Sequence, residues 1–262
     1  MNNLKNYIII TLIALIALIA TLYLISFFST SQPVFEGSCE KQYLYKTGIN
    51  FIVPNSTFSI MSAEEISLKL IDFISYSNNV LSNSCIPLSR FIKSINFIDD
   101  SRFFPLDIYA LRSWLEHSNS SYFPNKKTNY TVVLYSSDST SLKDTCGEAD
   151  MYNRNFVMVS IDCPRYVLEH ELGHTMLAQH PKTQFLTENN LKESTYLLEG
   201  TFNKYSFGFT CAKHGSIMTY EPEYLRVPIY SSPLIIFKGE HCGKQDEADN
   251  RRQVLNWIKE SF

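Results

Sequence analysis

The run His170-Glu171-Leu172-Gly173-His174 carries the chemistry most easily read from this chain. On a helix, residues four apart lie one turn apart on one face, so His170 and His174 present two imidazoles to the same point. Two such nitrogens hold one zinc ion, and the Glu171 carboxylate beside them is placed to act as a general base. His180, six residues beyond His174, supplies a third imidazole once a turn brings the chain back. Three protein ligands leave a fourth position for water, the pattern of a catalytic rather than a closed structural site. Glu199, in Leu197-Leu198-Glu199-Gly200, is a rival third ligand.

Val167 to Met176 is expected to be the helix that carries these groups. Its flanks are uncharged apart from Glu169, so it is expected to be buried, and three polar side chains on a buried helix call for a metal to satisfy them. Glu169 faces another side and is expected to be solvated or to support a ligand from behind. Gly173 would let another segment approach beneath the ligands. His214, His241 and His117 lie off the ligand pattern.

The elements around that helix follow from local pattern. Ile49–Val53 reads as a strand. Ser62 with Glu65 three residues on forms a capping box that opens a helix running to about Leu81. Phe91–Ile98 reads as a strand and Pro105–His117 as a helix. Tyr130–Tyr135 and Phe156–Ile161 are β-rich runs, and Asp246–Ser261 is a closing helix expected to complete the core.

Three further stretches match the pentapeptide in order along the chain. Cys146-Gly147-Glu148-Ala149 precedes it, Gly215-Ser216-Ile217-Met218-Thr219-Tyr220 follows it after Cys211, and Ala248-Asp249-Asn250-Arg251-Arg252 comes near the end. Together they resemble the metzincin zinc endopeptidases, in particular reprolysin-like bacterial members of the peptidyl-Asp endopeptidase type. That family carries H-E-x-x-H-x-x-G-x-x-H, a C-G-x-A strand, a methionine turn G-x-I-M-x-Y and an A-D-N-x-R helix start. The likeness runs from about Ile49 to the C-terminus.

The resemblance implies an α+β metallopeptidase domain: a twisted mixed sheet with the active-site helix, then a smaller subdomain with the methionine turn and closing helix. It implies one catalytic Zn²⁺ on His170, His174 and His180, with Glu171 as base and Met218 as an apolar floor. Tyr220 would ligate the metal or stabilise the oxyanion, Tyr224 to Phe237 would line the cleft, and a protein or peptide would be the substrate. The alternative is an inactive binding module of the same fold. One departure stands out: the family's helix-ending glycine falls at Leu177, where a left-handed conformation costs a residue with a Cβ roughly 1–2 kcal/mol. Ala178 or Gln179 is expected to share that bend.

Composition sets the surroundings. The 262 residues are 45% hydrophobic with a net charge of −3 and dispersed Lys and Arg, which excludes a nucleic-acid footprint and suffices for one substantial core. Residues 7–28 are apolar and uncharged, about the ~20 needed to cross a bilayer. They are expected to form a signal anchor after a cytoplasmic tip at 1–6, with a linker at 29–47 and the catalytic domain at 48–262. That expectation makes the chain a single-pass membrane protein with an extracytoplasmic body; cleavage after Ser29-Thr30-Ser31, giving a secreted protein, is the alternative. Six dispersed cysteines fit disulfides in an oxidising compartment. Pairing in sequence order is favoured: Cys39 with Cys85, Cys146 with Cys163 around a hairpin, and Cys211 with Cys242 around a C-terminal segment.

Overall fold

The computed structural model describes residues 15, 32–37, 39, 44–99, 107–123, 128–136, 145–188 and 203–262. The chain divides into two compact units, Met1–Gln32 and Pro33–Phe262, and all of the elements below lie in the second.

At its centre is a five-stranded sheet. The strands are β2 (Tyr45–Pro54), β3 (Leu88–Ile98), β4 (Tyr130–Tyr135), β5 (Gly147–Ala149) and β6 (Phe156–Ser160), lying in the order β3-β2-β4-β6-β5. β2 runs parallel to β3 and to β4, and β4 parallel to β6, so only the edge strand β5 is antiparallel. Helix α1 (Ala63–Asn83) makes the crossover from β2 to β3 that a parallel pair requires. The expected α+β architecture is therefore corrected to a mixed α/β one. Every residue of β4 and β6 is buried. A strand covered on both faces shows no alternation, and its sequence does not reveal the direction of its neighbours.

Local signals set the element ends. Ser62 caps α1 in the expected capping box with Glu65, and Asp107 caps α2 (Ile108–Ser118) through the Ala110 amide. Helix α1 turns Ile66, Leu70, Phe73, Val80 and Leu81 onto one sheet face, and α2 turns Ile108, Leu111 and Leu115 into a second cluster with Val133, Phe156 and Met158. Each such side chain contributes about 1.5–3 kcal/mol on burial. The closing helix α5 (Asn250–Ser261) starts later than expected, because Asp246 is left-handed (φ 63°) and Asp249 is the cap, accepting from the Arg252 amide.

Part of the expected linker is built into the fold: β1 (Val34–Phe35) pairs with β9 (Ser232–Phe237), which also pairs with β10 (Glu240–Cys242). A two-stranded ribbon joins β7 (Thr210–Cys211) to β8 (His214–Gly215). The disulfides are Cys39–Cys85, Cys146–Cys163 and Cys211–Cys242, the sequence-order pairing. Cys146 and Cys163 flank the β5–β6 hairpin, as expected.

The single-pass membrane address is corrected as well. Among the described residues no helix is long and apolar enough to cross a membrane. The longest, α1 with 21 residues, is amphipathic, with Glu64, Glu65 and Asp72 on its outer side. Apart from Leu15, the apolar run at 7–28 lies outside the described residues. The disulfides remain consistent with an extracellular setting.

Candidate metal centre

Helix α3 (Val167–Thr175) packs against β5, β6 and α1, and every residue in it except His174 is buried. The helix ends in a Schellman arrangement. The Leu177 amide donates to the His174 carbonyl at 2.8 Å and the Ala178 amide to the Gly173 carbonyl at 3.0 Å. Leu177 itself takes the left-handed conformation (φ 67°), so the bend is not shared with Ala178 or Gln179 as expected. The turn delivers His180 to the other two histidines.

The three imidazoles converge. His180 Nε2 lies 3.1 Å from His170 Nε2 and 3.0 Å from His174 Nε2. Ligands about 2.0–2.1 Å from a tetrahedral zinc stand about 3.3 Å apart, close to this spacing. Each opposite ring nitrogen is engaged: His170 Nδ1 donates to the Ile217 carbonyl (2.8 Å), His174 Nδ1 to the Ala178 carbonyl (3.0 Å) and His180 Nδ1 to Glu188 Oε2 (2.8 Å). Those acceptors fix the Nδ1–H tautomer, leaving Nε2 lone pairs aimed at one another. Burial, then the neighbouring imidazoles, holds His170 well below its ordinary value; burial first brings His174 to about 3 and His180 to about 4. Three neutral donors facing one point fit a divalent cation, and His170, His174 and His180 can hold a metal ion.

The floor is packed closely. A Cβ on Gly173 would lie 2.5 Å from Met218 Sδ, so only glycine lets that methionine sit beneath the helix. Arg226 staples the segment around Met218, donating to the carbonyls of Ile217 (2.8 Å), Thr219 and Glu221 (2.6 Å) while its guanidinium stacks on Tyr166. The Ile217 carbonyl thus receives both Arg226 and His170.

The turn to His180 is clamped by α5, which does more than complete the core. The Asn250 side chain accepts from the Gln179 amide (3.3 Å) and donates to its carbonyl (3.0 Å), and Gln253 donates to the Met176 carbonyl (3.1 Å).

Glu171 lies on the cleft side against β5, where a Cβ on Gly147 would come within 2.6 Å of its Cγ. Burial first, then the charge of Glu148, pushes its carboxyl up to about 8. Tyr220 is half exposed at the cleft mouth, its ring 4.3 Å from that of His180 and 6.1 Å from that of His170. Burial and then Glu188, through charge and a hydrogen bond, raise its phenol. The cleft encloses about 750 Å³ and includes all three histidines, Glu171, Glu148, Glu188 and Tyr220 in its walls.

Several expectations need correcting here. Glu169 is not solvated: it is wholly buried, paired through both oxygens with Arg90 Nε and Nη2 (3.2 Å each) and accepting from the Tyr230 hydroxyl (2.8 Å). Of residues 224–237 only Arg226 lines the cleft; most of the others build β9 and a satellite core with Val227, Ile229, Ile235 and Phe237. His214 donates to the Ala212 carbonyl and His241 to the Pro233 carbonyl, while His117 turns to the Ser113 carbonyl, all away from the triad. The rival ligand Glu199 falls outside the described residues. Sequence reasoning misses Arg90, Glu188, Arg226 and Gln253, since none sits in a motif.

No family model matches the chain, and no curated protein matches it. Among solved structures it is similar to one described as the structure of a chaperone-substrate complex, with a TM-score of 0.60 and 16% identity over 83% of this chain. The chain spans about a third of that structure's chain (35%). At that identity the likeness shows the fold alone. The neighbour is described as a chaperone-substrate complex and not as a peptidase, so the expected metzincin-like peptidase fold class is overturned. What stands is a mixed α/β domain with a five-stranded sheet.

Proposed function

We propose that this protein is a zinc-dependent endopeptidase acting on protein or peptide substrates. The observation that carries the reading is the convergence of three neutral imidazoles, each fixed from behind, beside a buried Glu171 in an open cleft. The motif resemblance through Met218 and Tyr220 supports the same reading.

His170, His174 and His180 would hold the ion. Bound there, zinc supplies Lewis acidity toward a carbonyl oxygen and lowers the pKa of a coordinated water toward ~7. Glu171 takes a proton from water in the cleft and returns it to the leaving amine. Its carboxyl, raised by burial, comes back toward the ordinary range beside a divalent charge, as a base requires. Tyr220 offers a hydroxyl at the cleft mouth for the developing oxyanion. Gly147 keeps room for the base, while Met218 keeps the metal floor dry.

The test uses the full chain and its Glu171→Gln variant. Zinc per chain is measured by elemental analysis and cleavage by mass spectrometry of a mixed peptide library. One zinc in both proteins, with cleavage only by the wild type, is expected. Zinc in both with cleavage by neither refutes the enzyme, and no zinc in either refutes the site.

A further inference from the structure

We propose that Glu188 is a positioning residue for the metal centre, orienting His180 and strengthening it as a donor. The inference rests on the reading of the three histidines as a metal site.

The back contacts of the triad are not equivalent. His170 and His174 donate to backbone carbonyls, those of Ile217 and Ala178. His180 alone donates to a carboxylate, Glu188 Oε2 at 2.8 Å. A full negative charge on the Nδ1–H pulls electron density toward Nε2 more strongly than a carbonyl dipole does, making that imidazole the better donor. The carboxylate also fixes the ring's rotation about its Cβ–Cγ bond, which the His180 backbone does not.

Glu188 is itself held in place. It lies in helix α4 (Lys182–Glu188), which starts directly after His180-Pro181, and its Oε1 accepts from Gln184 Nε2 at 3.2 Å one turn earlier. Phe185 on the same helix packs against Phe207 at 5.7 Å, anchoring α4 to the body. The ring of Tyr220 lies 4.3 Å from that of His180, and the same carboxylate helps to raise its phenol. Glu188 therefore stands where the third ligand and the cleft-mouth tyrosine meet, and its side chain is about a third exposed (37%), so it can be replaced without opening a core cavity.

The assay is zinc affinity, measured by competition with a chromophoric chelator on the full chain, and so needs no turnover. Glu188→Ala is expected to weaken zinc binding by about 10–100-fold, with its thermal midpoint in the metal-free state unchanged. Glu188→Gln keeps an acceptor but no charge, and is expected to fall between alanine and wild type. The Co²⁺-loaded proteins provide a second readout, in which the visible ligand-field bands of Glu188→Ala shift as His180 loses its orientation. If wild type binds zinc and both variants bind it equally tightly with unchanged cobalt spectra, Glu188 has no such role and the site reading survives. If wild type binds no metal, the site reading itself falls and takes this role with it.

Discussion

Neutralising Glu169 tests whether helix α3 is held by a buried charge pair. Glu169→Gln keeps the side chain's volume, so no cavity opens and the lost charge dominates the effect. Arg90, fully covered and held at 3.2 Å by both carboxylate oxygens, would be left charged, with Thr47 Oγ1 at 2.9 Å as a neutral partner. Breaking one partner of a buried pair costs about 3–5 kcal/mol. With a urea slope of about 3 kcal/mol per M for a domain of this size, the unfolding midpoint should fall by about 1–1.7 M. The measurement is urea denaturation followed by far-UV circular dichroism, with the three disulfides kept oxidised. Replacing both partners, Arg90→Met with Glu169→Leu, removes the stranded charge and should recover most of the loss. An unchanged midpoint in the single variant, or a double variant no more stable than the single one, would refute the argument.

The remaining expectations concern the site and its supports. Gly173→Ala would drive a Cβ to 2.5 Å from Met218 Sδ, and should cost about 1–3 kcal/mol of stability together with weaker zinc binding, read by thermal melts and chelator competition. Asn250→Ala removes both side-chain bonds to Gln179, whose amide keeps the Ser206 carbonyl and whose carbonyl keeps the Gly208 amide, so the loss of two hydrogen bonds is expected to cost about 1–3 kcal/mol, with zinc affinity falling as His180 loosens. In the metal-free chain, His174 and His180 are depressed from 6.5 to about 3 and 4, so their stability contribution is present above pH 6.5 and lost as pH falls through those values. Glu171 is raised from 4.5 to about 8, so its contribution is present below pH 4.5 and lost as pH rises through 8. Thermal midpoints of the chelated protein should therefore decline on both sides, and Glu171→Gln should raise the alkaline side alone. An equal gain at pH 4 would contradict that assignment.

Much of the centre is legible in the sequence because its geometry is local. His170 and His174 share a face by helical periodicity, and His180 arrives through a turn only a few residues long. Gly173 signals a close approach, which Met218 makes. The capping box at Ser62 and Glu65 and the Cys146–Cys163 disulfide are readable for similar reasons, since one depends on short-range pattern and the other on two strands adjacent in the chain. Leu177 stands where the motif that the sequence resembles has glycine, yet nothing in the sequence says that it adopts the left-handed bend alone.

The groups that fix the donors are remote in sequence or unmarked by motif. Arg90 reaches Glu169 across 79 positions and Asn250 reaches Gln179 across 71. The expectation of a solvated Glu169 fails because helical geometry assigns a face, whereas only packing decides whether that face is covered. Sheet direction is likewise hidden, since buried strands such as Tyr130–Tyr135 read alike in parallel and antiparallel pairings.

By itself the sequence determined which side chains could meet a metal ion, because ligand spacing on one helix and one turn is a property of the local backbone. Tertiary structure decided how those side chains are oriented and charged. The Nδ1 partners, the buried Arg90–Glu169 pair and the clamp from α5 all require segments far apart in the chain to fold against one another, and burial, which sets the protonation states, exists only once they have done so.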